Sequence, residues 1–390
     1  MRHPKFRILS AILAIALLVT MAIPAVSAET MEISAPAPEL NLTSKSAVLM
    51  EASTGKTLYA HNPAEAMPPA SVTKIMTLLL VMEAIEAGNL QWEATVTASA
   101  HAASMGGSQI FLKEGEQMTV RDLIKSVVIA SANDAAVALA EHTYGSEDAF
   151  VSRMNQRAEE LGMTATHFEN TNGLDDTAQN HVTSAADIAI MSRALIQHEE
   201  ILAFSSTWMD TIRNGAFGLT NTNRLVRFYP GCNGLKTGST QKAGFCVSVT
   251  AQRQGMTLIC VIMGAESRDI RNAEAQKLLD WGFATYGLFT AEAGTLGPIR
   301  VTGGVQDQVK LTYPAFSAVL PKGDMAAVEQ TVTLPETLAA PLRAGEGVGK
   351  ITYTCKGNPI GEVVIVAGET VEKLGFWGIW QRILKGMLGI

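Results

Sequence analysis

Between residues 71 and 202 apolar side chains recur every three to four positions, in runs at 75–86, 120–142, 148–161 and 185–196. That period is the signature of helices with a buried face. Ahead of this stretch, Ala47-Val48-Leu49-Met50 reads as a strand that turns at Ser53-Thr54-Gly55-Lys56 into Thr57-Leu58-Tyr59. Two further strands are predicted at 244–251 and 256–263 around the turn Gln252-Arg253-Gln254-Gly255, and a helix follows at 269–284. Beyond residue 290 the helical period stops. Short β runs at 308–311, 329–334, 349–353 and 362–366 alternate with Gly and Pro, and such a change of texture predicts a separate small β domain at 295–372.

The two ends differ from this body. Residues 1–28 run from basic (Arg2, Lys5, Arg7) through an apolar stretch at 8–26 to Val26-Ser27-Ala28, the order of a secretory signal peptide. An uncleaved transmembrane anchor is the alternative, and Pro24 and the small tripeptide favour removal. A tether rich in Ala and Pro is expected at 29–44. At the other end, 373–390 places Phe376, Trp377, Ile379, Trp380, Ile383, Leu384, Met387, Leu388 and Ile390 on one half of a helical wheel, opposite Gln381, Arg382, Lys385 and four glycines. Burying Arg382 and Lys385 in a bilayer core would cost roughly 3 kcal/mol each. The segment therefore reads as an amphipathic helix lying on a membrane, with its cations near anionic headgroups, rather than one crossing it. A helix docked on the domain core is the alternative.

Composition narrows the classes. Of 390 residues 47% are hydrophobic, ample to offset chain entropy, so a disordered or collagen-like chain is excluded. Thirty Lys and Arg against 37 Asp and Glu argue against a nucleic-acid binder. Cys232, Cys246, Cys260 and Cys355 form no CxxC pair and have no His at ligand spacing, so neither zinc nor any other metal is expected. Buried thiols are the better reading, although export permits disulfides.

Three short motifs carry candidate chemistry: Ser71-Val72-Thr73-Lys74, Ser131-Ala132-Asn133 and Lys236-Thr237-Gly238. Each is weak alone. Ser71 opens a helical run, where free backbone N–H groups can stabilise developing negative charge. Lys74 lies one turn on, on the same face, within reach of the hydroxyl. To act as a base it must be neutral, which needs burial or a nearby cation. Ser131 and Asn133 on a tight loop can relay a proton and orient a carbonyl. Lys236-Thr237-Gly238 suits a strand edge along which a peptide adds, with its carboxylate held by Lys236. Read singly, the three are a helix cap, a second cap and an ordinary turn.

Together the motifs resemble those of penicillin-binding proteins and serine β-lactamases. The stretches Pro69-Ala70-Ser71-Val72-Thr73-Lys74-Ile75-Met76-Thr77, 126–136, Thr166-His167-Phe168 with Asn170 and Gly173-Leu174, and Gly234-Leu235-Lys236-Thr237-Gly238 narrow this to the low-molecular-mass D-alanyl-D-alanine carboxypeptidases. The likeness covers 45–290, and Ala132 stands where that family often has Gly. It implies an α+β fold: a β-lactamase/transpeptidase-like catalytic domain, an antiparallel sheet with a helical lobe at 45–290, then the small all-β domain and the amphipathic helix. It implies Ser71 as nucleophile, Lys74 as base and Ser131 as relay. Asn133, Lys236, Thr237, Gly238 and Ser239 would bind substrate, with the N–H groups of Ser71 and Ser239 as oxyanion hole. The implied partners are peptidoglycan stem peptides ending in D-Ala-D-Ala, β-lactams as inhibitors and a membrane surface, outside the cytoplasmic membrane, with no cofactor. A β-lactamase and a weakly active wall-binding scaffold remain the alternatives. Glu169 stands where a β-lactamase would carry a deacylating glutamate, but its context fits a surface loop. His101, His142, His167 and His181 suggest no Ser-His-Asp triad.

Overall fold

A computed structural model describes residues 40–176 and 178–388, apart from the side chains of 385 and 386. The signal-peptide segment and most of the tether lie outside the described residues. The first part of the chain is built on an antiparallel sheet of five strands: β1 (Ser46–Glu51), β2 (Thr57–His61), β3 (Cys232–Thr240), β4 (Gly244–Arg253) and β5 (Met256–Ala265), in the order β2-β1-β5-β4-β3. Alternate residues leave opposite faces, as the pleat requires. Val48, Met50, Val261 and Met263 meet a helical lobe, whereas Ala47, Leu49, Cys260 and Ile262 meet the residues of a single long helix. A central strand covered on both faces needs a continuous apolar run, and Leu258 to Met263 supplies it.

The lobe comprises α1 (Lys74–Glu86), α2 (Val120–Ala130), α3 (Asn133–Tyr144), α4 (Glu147–Glu160) and α5 (Ala185–Leu195); α6 (Arg268–Thr285) covers the other face. The apolar run at 120–142 is two helices, because Ser131 adopts φ 63° and Ala132 is extended. That break turns the chain, leaving Ser131 and Ala132 between α2 and α3 and Asn133 as the first residue of α3.

Residues 40–44 do not behave as a tether. Thr43 and Ser44 donate backbone and hydroxyl hydrogen bonds to the Glu274 carboxylate on α6, Lys277 donates to the Leu40 carbonyl, and Leu40 is buried. The polar Thr43-Ser44 pair that reads as linker is satisfied by a carboxylate 230 residues away.

The β part starts earlier than the texture change at 290. After α6 the chain extends at Tyr286 into β6 (Tyr286–Ala291), which pairs with a strand at Phe316–Pro321. Tyr286 and Val319 pack in the same apolar cluster as α6, so this two-stranded sheet shares a core with the first part of the chain. A six-stranded sheet around Val301, Leu311, Ile351, Tyr353, Val363 and Ile365 has its own core. The chain closes with α7 (Phe376–Leu388). No helix among the described residues is long and apolar enough to cross a membrane.

Candidate active site

Ser71 does not open the α-helix directly; it lies in a 3-10 turn, Ala70–Thr73, that feeds into α1. The residue before it, Ala70, is held at φ 49°, a conformation that L-residues other than Gly, Asn and Asp seldom adopt. Two glycines make room for this turn. Gly238 of β3 lies so close that a Cβ there would sit 2.8 Å from the Ser71 nitrogen and 2.9 Å from the Pro69 oxygen. Gly173, at φ +84°, would place a Cβ 1.9 Å from the Ala70 oxygen. The third residue of the Lys-Thr-Gly motif is thus glycine because the strand must pass against the serine turn.

The three motifs converge on one cleft of about 590 Å³, lined by Ser71, Ser131, Thr237, Gly238, Ser239 and Arg271 among others. Lys74 Nζ lies 2.9 Å from Ser71 Oγ and donates to the Asn172 carbonyl at 2.7 Å. Lys236 Nζ donates to Ser131 Oγ at 2.8 Å and to the Thr237 carbonyl at 2.9 Å. Thr237 Oγ1 donates to Thr222 Oγ1 at 2.8 Å. Asn133 Nδ2 donates to the Gly106 carbonyl and its backbone N–H to the Ser108 carbonyl, both at 2.7 Å, while its Oδ1 is buried without a partner among the described residues. A carboxamide atom left open in this way is ready for a ligand amide. Ser239 is exposed at the cleft mouth.

The electrostatics follow from burial. Lys74 and Lys236 are both fully enclosed. Burial, and then the nearby Lys236, hold the Lys74 amine well below the ordinary lysine range, against a weaker pull from Asp134. Burial, and then Arg271, bring Lys236 down to about 7. Arg271 is itself buried and lowered to about 10, by burial and then by Arg268. Neither Lys236 nor Arg271 forms an ion pair among the described residues, so the cleft presents unpaired basic groups beside a serine whose neighbouring amine is held toward its neutral form. That combination suits a substrate with a carboxylate next to an acyl group.

Sequence reasoning missed several of the residues that build this cleft. Arg271 carries no local motif; its place beside Lys236 comes from α6 packing on β4, where its Nη1 donates to the Cys246 carbonyl. Asp134 is buried and accepts from the N–H groups of Ile110, Leu112 and Ala135, fixing the loop that Asn133 grips. Its position directly after Asn133 was the available signal. Asn172 supplies a carbonyl, which no side-chain pattern reveals. Glu169 is exposed and accepts from the N–H groups of Gln179 and Asn180, so it shapes its own loop. All four cysteines are buried free thiols; burial pushes Cys232 and Cys246 up to about 11, which makes them poor nucleophiles.

The D-alanyl-D-alanine carboxypeptidase family profile matches residues 30–267, and that of the penicillin-binding protein 5 C-terminal domain matches 286–373. The chain is 41% identical to D-alanyl-D-alanine carboxypeptidase DacF of Bacillus subtilis over 89% of its own length and 90% of that protein's. Against DacC of Escherichia coli the identity is 35%, covering 86% of each. Penicillin-binding protein 5 of Haemophilus influenzae superposes with a TM-score of 0.76 at 32% identity, covering 87% of this chain and all of the other. The chain belongs to the serine-type D-alanyl-D-alanine carboxypeptidases, the low-molecular-mass penicillin-binding proteins.

Proposed function

We infer that the acyl-enzyme forms on Ser71 and that the chain trims the terminal D-alanine from pentapeptide stems at the outer face of the cytoplasmic membrane. The observation that carries this is the pairing of Lys74 Nζ with Ser71 Oγ at 2.9 Å, with the amine held toward its neutral form. Lys74 takes the Ser71 proton as Oγ attacks the penultimate D-alanyl carbonyl. The N–H groups of Ser71 and Ser239 receive the oxyanion. Ser131, polarised by Lys236, passes a proton to the leaving amine, while Lys236, Thr237 and Arg271 hold the terminal carboxylate. Asn133 orients the acyl amide, and Gly238 leaves room for the strand-like substrate. D-Alanine departs and water hydrolyses the ester. Penicillin-binding protein D2 of Listeria monocytogenes has been solved in ampicillin- and cefotaxime-bound forms; here β-lactams would acylate the same serine.

The test incubates purified protein with a fluorescent penicillin and, separately, a D-Ala-D-Ala peptide. Labelling that disappears in Ser71→Ala, together with D-alanine release, is the expected result. Rapid penicillin turnover would point to a β-lactamase, and labelling without D-alanine release to a scaffold.

The membrane reading rests on α7. Its apolar side chains point into solvent, Trp377 77% and Met387 83% exposed. Exposed aromatic and aliphatic side chains on one helix fit a lipid interface. Arg382 also pairs with Asp307 at 2.7 Å and donates to the Val305 carbonyl at 3.2 Å, an exposed contact that ties the helix to the β part. Residues 45–285, 286–372 and 373–390 are accordingly proposed as catalytic, β and membrane-lying units.

A further inference from the structure

One buried titratable side chain in contact with the nucleophile turn is not used by the mechanism above. His181 is 5% exposed and lies at the end of a loop that returns to the catalytic lobe, where Val182 bridges to His167 and Thr183 to Met67. Its ring packs edge-on to Phe168, 5.7 Å between centroids. Nδ1 accepts the Glu169 N–H at 2.9 Å, which leaves the proton of a neutral ring on Nε2. Nε2 lies 2.7 Å from Thr73 Oγ1, and Thr73 Oγ1 donates to the Ala70 carbonyl at 2.8 Å. The hydrogen-bond chain therefore runs from Glu169 N–H through His181 and Thr73 to Ala70.

Both ends of that chain matter for Ser71. At one end is the carbonyl of Ala70, the positive-φ residue that sets the Ser71 backbone. At the other is the segment 169–173, whose Asn172 carbonyl accepts from Lys74 and whose Gly173 abuts Ala70. The spacer residue of Ser71-Val72-Thr73-Lys74 is thus a hydroxyl with work to do, not a neutral filler.

We propose that His181 is a positioning residue for acylation: the imidazole ties Thr73 to the Glu169 backbone and so registers the Ser71 turn against the carbonyl that holds Lys74. This rests on Ser71 being the acylated residue. A displacement of about 1 Å between a nucleophile and its base costs on the order of 100-fold in rate. His181→Ala removes both hydrogen bonds. His181→Gln keeps an acceptor for Glu169 N–H and a donor for Thr73.

The experiment measures the second-order rate of penicillin acylation, and kcat and KM on a D-Ala-D-Ala peptide, for wild type, His181→Ala, His181→Gln and Thr73→Val, with thermal melts alongside. The expected result is a fall of roughly 10- to 100-fold in acylation rate and kcat for His181→Ala, with KM within about twofold. His181→Gln recovers most of the rate. Thr73→Val matches His181→Ala, and the double variant is no slower than either. Wild-type acylation in His181→Ala would overturn the proposal, as would a folded His181→Gln as slow as the alanine variant. If His181→Ala does not fold, wild-type acylation in Thr73→Val overturns it. Failure of wild-type protein to label at all overturns the assignment of Ser71 instead, so the two failures are distinct.

Discussion

The Ala70 carbonyl oxygen occupies the place where a side chain on residue 173 would begin, 1.9 Å from the Cβ that Gly173 lacks. Two segments a hundred residues apart touch backbone to backbone, and the turn that carries Ser71 is shaped by that touch. Gly173→Ala adds this overlap to a left-handed conformation that costs an L-residue about 1–2 kcal/mol. Penicillin acylation is expected to slow by about 100-fold or more, while a surface glycine such as Gly88, which has open space around it, tolerates the change at far lower cost. Stopped-flow labelling of the two variants makes the comparison. Equal rates would show that the contact does not shape the turn.

Lys236 gives the alkaline side of the pH profile. With its amine lowered to about 7 by burial and then by Arg271, the free enzyme holds a charged Lys236 below that pH and loses the charge above it. A carboxylate ligand needs the charge, so kcat/KM is expected to decline as pH rises past about 7. Arg271→Gln removes the neighbouring cation, moves this limb to higher pH and raises KM. A limb that does not move in Arg271→Gln would remove Lys236 as its source.

His181 also makes stability depend on pH. Burial lowers its imidazole to about 4, against 6.5 for the free side chain. Protons then bind the unfolded chain more readily between those values, so unfolding free energy rises with pH from 4 to 6.5 and is unaffected by this group above it. The full swing is about 3 kcal/mol at most. The titratable groups that act on the ring are Glu169, His167, Asp175 and Lys74. Denaturant melts across this window are expected to show a smaller pH slope in His181→Gln than in wild type. An unchanged slope would mean that other groups carry the acid sensitivity.

For α7, the apolar face and not Arg382 is expected to dominate lipid affinity, because Arg382 is paired with Asp307. Co-sedimentation with anionic vesicles should drop sharply for Trp377→Ala with Trp380→Ala and only slightly for Arg382→Gln. Deleting 373–390 should free the protein from vesicles while penicillin labelling persists. The reverse ranking of the two point-variant sets would overturn the lipid-face assignment.

Much of this molecule is legible in one dimension. Periodicity locates the helices and strands because burial on one face of an element imposes a fixed repeat, and the motif residues Ser71, Lys74, Ser131 and Lys236, which the structure brings to one cleft, stand out through short fixed spacings. The turn at Ser131 is readable too, since a small polar residue after an apolar run is where a helix can end. Residues 40–44 are illegible for the opposite reason: Thr43 and Ser44 look like linker until Glu274 is opposite them.

By itself, then, the order of residues determined which elements form, which motifs sit on them and what class of chemistry they serve. Only the tertiary structure decided that Arg271 stands beside Lys236, that His181 reaches Thr73 across 108 positions, that Gly173 and Gly238 make way for Ser71, and that Arg382 turns toward Asp307. Local propensity and hydrophobic repeat act over a few residues and leave a trace in the sequence. A buried cation lowering its neighbour's pKa, or a carbonyl filling a missing side chain's space, acts over ångströms between distant segments, and a single side chain records no sign of the partner it will meet.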